Sequence, residues 1–339
     1  MSVNPTVVFR KPGNVVIEER EIPDPRAGEL LLENIFSMMS TGTEITILSG
    51  EYPSGSAWSR IGNYPYTPGY NGVAKVVKAG DTGNLTWVGK TVVGHSPHCR
   101  YSVQSVEMIQ QVPDDVLLEE ACFYTLAPIA LNAIRRADVH LGEAVVIYGM
   151  GVIGHLTALF CRLCGASPVI AVDTSSYRLD LLPEDSLLFG INPLKSDVRK
   201  AVEEWTCGRM ADVVVEASGV ASLIPTELEV MKDQGRFVIV SSPREKIQFD
   251  FHDMCCWPSF TLIGAHSSSH PQTETLHTPW SKKRHGELLF SLLVAKQLDL
   301  KHMITHYVSY RDAPTMYHKL LSKSYDYLGI LICWDEIKT

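Results

Sequence analysis

The spacing of the hydrophobic positions differs between the beginning and the middle of the chain. Before Glu119, short apolar runs are separated by turn-forming segments such as KPGN, DPRAGE, YPSGS and AGDTGN. Short runs bounded by Gly, Pro, Asn and Asp are typical of β-strands. This part of the chain is therefore predicted to be a mainly β domain with one short helix at 43–49. Its predicted strands are Val3–Phe9, Val15–Glu21, Glu29–Phe36, Gly72–Ala79 and Arg100–Val106.

From Glu119 onward, short apolar runs alternate with helical stretches. Such alternation is typical of a doubly wound parallel sheet with helices on both faces. Strands are predicted at 144–148, 169–172, 211–216, 235–241 and 261–265, and helices at 152–164, 198–206 and 220–231. The segment 266–287 is polar and rich in His, and it is predicted to be irregular. The last predicted elements are helices at Glu287–Ala295 and Ala313–Ser322 and strands at Ile304–Val308 and Leu328–Cys333.

A glycine motif stands between the first two buried strands of the α/β region. Gly149, Gly151 and Gly154 form GxGxxG where the chain passes from a strand into an apolar helix. In a dinucleotide site the first glycine permits a tight turn and the second lets the backbone approach the pyrophosphate. The third lets the helix pack close to the sheet. The helix N-terminus adds unpaired N–H groups and a partial positive charge, so the motif predicts a dinucleotide site.

A carboxylate follows the second buried strand and narrows the choice of cofactor. Asp173 lies 19 residues beyond Gly154, where an acid binds the adenosine ribose and repels a 2′-phosphate. This charge favours NAD over NADP, although Arg178 offers a basic partner for that phosphate. Loops after the other parallel strands should also contact the cofactor. The predicted cofactor residues are Gly149, Gly151, Val152, Ile153, Gly154, Asp173, Thr174, Arg178, Ser218, Ser241, Ala265 and His266.

Three of these cofactor residues have an alternative interpretation. Ser218 and Ser241 would then only bond nearby backbone, as hydroxyl groups in turns commonly do. His266 would then belong to a solvated loop and make no ligand contact. The sequence leaves both interpretations open.

Composition and charge limit the classes of partner. The 339 residues are 45% hydrophobic, which is ample for the cores of two domains. Lys and Arg number 30 against 38 for Asp and Glu, so the chain offers no basic surface for nucleic acid or membrane. No 18-residue apolar run or signal-peptide core is present. We therefore expect a cytoplasmic protein with a small-molecule substrate.

Three segments resemble the medium-chain dehydrogenase/reductase superfamily, which holds zinc alcohol and polyol dehydrogenases. They are GTEITILSG (42–50), YTPGYNGVAKVVKAG (66–80) and EEACFYTLAPIALNAIRRADVHLGEAVVIYGMGVIG (119–154). The pair STGTE and YTPGYN is similar to one in the subgroup containing bacteriochlorophyllide dehydrogenases.

The resemblance implies an α/β chain of two domains. A GroES-like, mainly β catalytic domain is expected at 1–121 and 270–339, and a Rossmann doubly wound parallel-sheet cofactor domain at 122–269. The resemblance also implies a homodimer formed through an edge strand near 261–265.

The residues at the superfamily's zinc positions depart from its pattern. Where zinc members carry a Cys, a His-Glu pair and a third ligand, this chain has Thr41, Tyr70-Asn71 and a position near Thr125. Hydroxyl and amide groups are poor Zn²⁺ ligands compared with thiolate, imidazole and carboxylate. The closely spaced cysteines of the structural zinc lobe are also missing. We therefore expect no zinc, with a metal site at His95, His98 and Cys99 as the alternative.

Two residues are candidates for moving the proton. Thr43 matches the Ser/Thr that starts the proton relay in zinc members, and its alternative role is to cap the 43–49 helix. His95 falls, by resemblance, at a substrate-facing position, and a neutral imidazole can take an alcohol proton as hydride leaves. The alternative for His95 is a hydrogen bond to a loop carbonyl.

Two further residues are candidates for orienting the substrate. Tyr70 can donate to a carbonyl oxygen, although a phenol needs help to act as a base. Glu44 would either orient a neighbouring catalytic group or pair with Arg60 or Arg100 as a structural carboxylate.

Together these features predict a zinc-independent, NAD-linked oxidoreductase. It would interconvert a secondary alcohol, such as a polyol or sugar derivative, and a ketone by hydride transfer. One alternative is an NAD(P)H-dependent enone or quinone reductase, and Asp173 weighs against it because such reductases usually prefer NADPH. The other is a non-catalytic NAD(H)-binding protein, against which Thr43, Tyr70 and His95 weigh.

Overall fold

The computed structural model describes residues 3–271, 274–322 and 326–335. The chain divides into two compact units. The first unit runs to Thr125 and resumes at Glu287, and the second is Leu126–Gly286. Within the described residues, no helix is both long and apolar enough to cross a bilayer.

The strands and helices follow one another in the order expected from the change in hydrophobic spacing. The strands are β1 (Asn4–Lys11), β2 (Asn14–Arg20), β3 (Glu29–Met38), β4 (Gly72–Ala79), β5 (Thr91–Gly94), β6 (Tyr101–Ser105), β7 (Ile109–Gln111), β8 (Val145–Tyr148), β9 (Val169–Val172), β10 (Leu188–Ile191), β11 (Ala211–Glu216), β12 (Met231–Ile239), β13 (Thr261–Gly264), β14 (Ile304–Ser309) and β15 (Gly329–Cys333). The helices are α1 (Thr43–Ser49), α2 (Ala57–Ile61), α3 (Leu118–Ala121), α4 (Ala127–Ala137), α5 (Val152–Leu163), α6 (Ser176–Asp180), α7 (Val198–Trp205), α8 (Ile224–Leu228), α9 (Lys282–Val294) and α10 (Ala313–Leu321).

The first unit is built on a mostly antiparallel sheet. Its strand order is β14-β15-β3-β4-β5-β7, with β6 paired to β3 and a separate β1-β2 hairpin. Alternate residues of β3 and β4, including Leu30 with Leu32 and Ala74 with Val76, pack on one face. This period of two is what buries one face of a strand. A second core joins the hairpin to α1 and α10.

The second unit is an open sheet of six parallel strands in the order β10-β9-β8-β11-β12-β13. β8 and β9 are buried at every residue, as expected for strands covered on both faces. The strand order reverses between β8 and β11, and such a switch point is where open α/β sheets bind ligands. The predicted α/β class is confirmed.

Some element predictions were wrong for local physical reasons. β5, β7 and β10 were missed because three or four residues carry too little periodicity. The helix predicted at 220–231 is a 3-10 turn followed by the five residues of α8. α9 begins at Lys282, inside the segment predicted to be irregular. Its first turn is supported by Ser281, whose hydroxyl accepts a hydrogen bond from the N–H of Arg284 at 3.2 Å.

Residues 270–271 and 274–286, assigned to the first domain in the sequence prediction, lie in the second unit. His270 and His285 account for this placement. The His270 Nε2 atom lies 3.1 Å from the Pro128 carbonyl oxygen, and Arg135 donates to His285 Nε2 at 2.9 Å. These contacts attach the segment to α4.

Candidate functional site

The glycine turn of the second unit has a geometry that only glycine satisfies at two positions. Gly149 has φ +95°, and a Cβ there would lie 2.6 Å from the Ser218 backbone. A Cβ on Gly154 would lie 1.9 Å from the Gly149 carbonyl oxygen. Gly151 precedes α5, and a Cβ there would have no neighbour within 4 Å. The turn therefore leaves open space at the N-terminus of α5, next to Val152 and Ile153, which suits a phosphate group.

Asp173 ties the loop after β9 to the glycine turn. The residue is 8% exposed, and its Oδ2 atom accepts from the N–H of Met150 at 2.6 Å. Its Oδ1 atom accepts from the N–H of Ser175 at 2.7 Å. The Arg178 Nη1 atom lies 3.8 Å from Oδ2, and neighbouring Thr174 is exposed. The structure thus brings the predicted acid beside the predicted phosphate turn.

Ser218 and Ser241 share a partner that sequence reasoning missed. The Ser218 hydroxyl donates to Glu216 Oε1 at 2.7 Å, and the Ser241 hydroxyl donates to Glu216 Oε2. Glu216 is the last residue of β11 and is fully buried. An acid directly after the apolar run Val213–Val215 was the available signal.

Ala265 and His266 follow β13 at the same end of the sheet. Ala265 is buried and its N–H donates to the Ile239 carbonyl at 2.9 Å. His266 is exposed, and its Nδ1 atom accepts from the N–H of Ser268 at 3.2 Å. The His266 ring thus supports its own turn.

Tyr70 is the centre of the candidate catalytic group in the first unit. Its hydroxyl lies 2.6 Å from the Ser40 hydroxyl, and its ring stacks on His95 with centroids 5.9 Å apart. Burial raises the pKa of Tyr70, and hydrogen bonds to Ser40 and Thr43 oppose that rise without cancelling it. The hydroxyl therefore stays protonated at neutral pH.

His95 directly follows β5 and is exposed. Its backbone carbonyl accepts from the Gln104 side-chain amide at 2.8 Å. This bond holds the backbone that carries the ring. The structure therefore brings together two of the predicted catalytic side chains, His95 and Tyr70.

Thr43 begins α1, but it is not the cap of that helix. The N-cap residue is Gly42, and no side chain caps the N-terminus. The capping alternative for Thr43 is therefore wrong, because the helix starts one residue earlier than that role requires. A hydrogen bond between the Thr43 side chain and Tyr70 lowers the pKa of Tyr70.

Glu44 lies in a buried hydrogen-bond network and is fully inaccessible to solvent. Its Oε2 atom accepts from the Ser40 N–H at 2.9 Å and from the Tyr317 hydroxyl at 2.7 Å. Its Oε1 atom lies 3.2 Å from His98 Nε2. The predicted pairing with Arg60 or Arg100 is wrong, since Glu44 turns toward the core and pairs with His98.

Thr41, Tyr70, Asn71 and Thr125, which the sequence resemblance aligns with zinc ligands, carry hydroxyl and amide groups. Within the described residues, the Asn71 amide and the Thr125 hydroxyl are buried without a hydrogen-bond partner. His98 and Cys99, two members of the alternative metal cluster, are engaged elsewhere: His98 with Ser37 and Glu44, and the Cys99 thiol with the Tyr101 carbonyl. Across residues 3–271, 274–322 and 326–335, no group of three or more His, Cys, Asp or Glu is arranged to hold a metal ion.

Comparisons with known proteins relate this chain to alcohol dehydrogenases. The zinc-binding dehydrogenase family matches residues 152–280. D-guloside 3-dehydrogenase of Escherichia coli K12 is 25% identical over 249 residues, covering 72% of this chain and 71% of that protein. Sorbitol dehydrogenase of Rattus norvegicus is 28% identical over 212 residues, covering 62% and 55%.

One solved structure is similar to this chain over nearly its whole length. The structure is from Sinorhizobium meliloti 1021, is assigned to the zinc-binding dehydrogenases and is bound to NADP. It has a TM-score of 0.82 and 20% identity, and covers 98% of this chain and 100% of that one. The likeness confirms the fold, a GroES-like domain combined with a Rossmann domain.

Proposed function

We propose, on the premise that the chain belongs to the medium-chain, zinc-type alcohol dehydrogenase-like superfamily, that it interconverts a secondary alcohol and a ketone. The observation that carries this proposal is Tyr70, whose hydroxyl lies beside Ser40 and Thr43 and whose ring is stacked on the exposed His95 imidazole. A proton donor beside a proton acceptor is what reversible alcohol oxidation requires.

The substrate class we propose is a polyol or sugar derivative. The relatives named for D-guloside and sorbitol act on compounds of this kind. The hydroxyl-rich surroundings of Tyr70, supplied by Ser40 and Thr43, suit a substrate with several hydroxyl groups.

We further propose that the reaction needs no zinc. Thr41, Tyr70 and Asn71 stand at the positions of the usual ligands, and none of them supplies a thiolate, imidazole or carboxylate. The Tyr70 hydroxyl lies 2.6 Å from the Ser40 hydroxyl. The Asn71 amide is a neutral group, which suits a water molecule better than Zn²⁺.

The cofactor we propose is NAD. Gly149, Gly151 and the start of α5 would hold its pyrophosphate, and the Asp173 carboxylate beside them disfavours a 2′-phosphate. Arg178, 3.8 Å from Asp173, is the residue that would favour NADP instead. The cofactor supplies hydride acceptance and donation, and the protein supplies orientation and proton transfer.

The proton steps follow from the chain's own residues. During oxidation the His95 imidazole takes the proton of the alcohol, while the Tyr70 hydroxyl, whose pKa is raised, donates a hydrogen bond to the substrate oxygen. Ser40 and Thr43 fix the position of that hydroxyl. In the reverse direction the His95 imidazolium returns the proton. Glu44 holds Ser40 through its backbone N–H and touches no reacting atom.

We also propose a homodimer formed through β13. This strand is last in the sheet order and, within the described residues, pairs only with β12. Leu262 on the strand is 40% exposed, and nearby Trp257 is 80% exposed. An uncovered edge strand with apolar side chains is a surface on which a second copy can continue the sheet.

The proposed activity is tested with a substrate panel. Wild-type protein is mixed with NAD⁺ or NADP⁺ and with polyols, glycosides and simple secondary alcohols, and absorbance of the reduced cofactor is followed. We expect NADH formation with a polyol or sugar derivative. Turnover of enones or quinones with NADPH alone would favour the reductase alternative. Cofactor binding with no turnover on any substrate would favour a non-catalytic protein.

A further inference from the structure

We propose that Glu216 is the positioning residue that holds two loops of the cofactor crevice against the glycine turn. This role rests on the proposed function, because it supposes that a nicotinamide dinucleotide binds there. Glu216 would not touch the cofactor, and it would act through the loops that do.

The location of Glu216 is the first argument. It is the C-terminal residue of β11 and lies opposite Tyr148, the C-terminal residue of β8, in the parallel register. β8 and β11 are the two strands between which the strand order reverses. Ligands of open α/β sheets bind just beyond such strand ends. Glu216 therefore lies directly beneath the crevice expected from the topology.

The hydrogen bonds of Glu216 are the second argument. Its Oε1 atom accepts from the Ser218 hydroxyl and from the N–H of Gly219, both at 2.7 Å. Its Oε2 atom accepts from the hydroxyl of Ser241. Ser218 and Gly219 follow β11, whereas Ser241 follows β12. One carboxylate thus joins two separate loops at the ligand-binding end of the sheet.

The glycine turn completes the connection. Gly149 approaches the Ser218 backbone so closely that a Cβ would lie 2.6 Å from it. The Ser218 hydroxyl also accepts from the N–H of Val220 at 3.1 Å, which fixes the path of that loop. A shift of the Ser218 loop would therefore alter the turn at which the pyrophosphate is expected. The hydrogen bonds that Glu216 accepts from this loop oppose such a shift.

The neighbouring Glu227 is a second buried acid, and its surroundings differ from those of Glu216. Within the described residues, neither carboxyl oxygen of Glu227 has a hydrogen-bond partner. Burial, and then the charge of Glu216, raise the pKa of Glu227 to about 9. Glu216, by contrast, has three donors directed at its two carboxyl oxygens. Because both oxygens accept, Glu216 binds the hydroxyls of both loops at once, as the two-loop connection requires.

The test measures cofactor binding and kinetics in Glu216→Gln. This substitution keeps the shape of the side chain but leaves only one acceptor oxygen. We expect the Kd for NADH and the KM for NAD⁺ to rise about tenfold. The value of kcat at saturating cofactor and the KM for the alcohol should stay within about twofold of wild type. A general loss of structure would change all four quantities together.

Three further variants complete the test. Ser241→Ala releases only the second loop, so it should weaken NADH binding less than Glu216→Gln does. Combining the two substitutions should add little, because both break the same connection. Glu229→Gln removes an equal charge from an exposed position after α8 and should bind NADH as wild type does. If Glu216→Gln fails to fold, Ser241→Ala alone decides the question.

The outcomes separate this role from the proposed function. If folded Glu216→Gln, or Ser241→Ala in its place, binds NADH with the wild-type Kd, the role of Glu216 is overturned and the proposed function stands. If the wild-type protein binds no nicotinamide dinucleotide, the proposed function fails and the role fails with it.

Discussion

The Tyr70 hydroxyl has two properties that decide how protons move in the proposed reaction. It lies 2.6 Å from the Ser40 hydroxyl, and its pKa is raised by burial and by the charge of Glu44. A phenol with a raised pKa remains protonated near neutral pH and serves as a hydrogen-bond donor. The base in alcohol oxidation must then be another group, and His95 is stacked on the Tyr70 ring.

Replacing His95 by Ala should therefore remove the base. We expect kcat to fall about 100-fold or more, as for the loss of a general base. NADH binding, measured by fluorescence titration, should not change. His140→Ala is the control, because it removes an exposed imidazole from the second unit. Wild-type turnover in His95→Ala would remove this residue from the mechanism.

For individual residues, the sequence indicated which side chains belong to the candidate site better than it indicated their hydrogen-bond partners. Tyr70 and Thr43 could be selected because they occupy positions in local motifs. The partners of Glu44 could not, since His98 and Tyr317 lie 54 and 273 residues away along the chain. Only the packing of α1 against α10 brings Tyr317 to that carboxylate.

The β8–α5–β9 element contains the clearest contrast between structural and functional glycines. Gly154→Ala would place a Cβ 1.9 Å from the Gly149 carbonyl oxygen, whereas Gly151→Ala would meet no atom within 4 Å. We expect Gly154→Ala to lower the free energy of unfolding by about 2 kcal/mol or more. Gly151→Ala should leave it within about 0.5 kcal/mol.

Gly151→Ala, which should hardly change stability, should strongly weaken cofactor binding. Its Cβ would enter the space expected for the pyrophosphate, so Gly151→Ala should weaken NADH binding at least about tenfold. Urea unfolding and fluorescence titration measure the two effects separately. Unchanged NADH affinity in Gly151→Ala would contradict the placement of the pyrophosphate at this turn.

Glu227 on α8 should make stability depend on pH. Its pKa rises from an ordinary 4.5 to about 9 because it is buried and lies near Glu216. The folded protein therefore holds a proton that the unfolded chain releases above about pH 4.5. This group's contribution to stability is complete below that pH and is lost as pH rises toward 9, by up to about 1.4 kcal/mol per pH unit.

Glu227→Gln should abolish that dependence. Relative to wild type, the variant should gain unfolding free energy steadily between about pH 5 and about pH 8.5. Urea unfolding at several pH values measures the difference, and exposed Glu229→Gln is the matched control. Parallel stability curves for Glu227→Gln and wild type would show that Glu227 titrates normally.

Elements with strong periodicity were predictable, and short ones were not. β8, α5 and β9 combine continuous apolar runs with a glycine turn, and their observed bounds lie within one residue of those predicted. β10 has four residues, one of them Gly190, so it carries no pattern of its own. It is a strand because β9 supplies its hydrogen bonds.

For the whole molecule, the uncovered edge of the parallel sheet is the feature with the largest consequence. Leu262→Lys would place a charge on β13 and should convert the proposed dimer into monomers, because two like charges would meet near the two-fold axis. Sedimentation velocity measures the change. Leu276→Lys, at a position that is 98% exposed, should leave the dimer intact. A wild-type monomer, or a Leu262→Lys dimer, would contradict the proposal.

The presence of one mainly β region and one α/β region could be predicted, because the spacing of hydrophobic residues differs between them. The sequence alone could not show that the segment containing His270 and His285 packs with the α/β region. That packing depends on contacts such as that of Arg135 with His285, which join residues 150 positions apart. Such contacts leave no periodic signal in a single sequence.

Zinc-free chemistry is the central claim, and one measurement addresses it directly. Metal content is determined on the same chelator-treated sample whose NADH formation is being followed with its best polyol or sugar substrate. We expect far less than one zinc per chain and a rate equal to that of untreated protein. Activity that disappears with the chelator and returns in proportion to added Zn²⁺ would contradict the account.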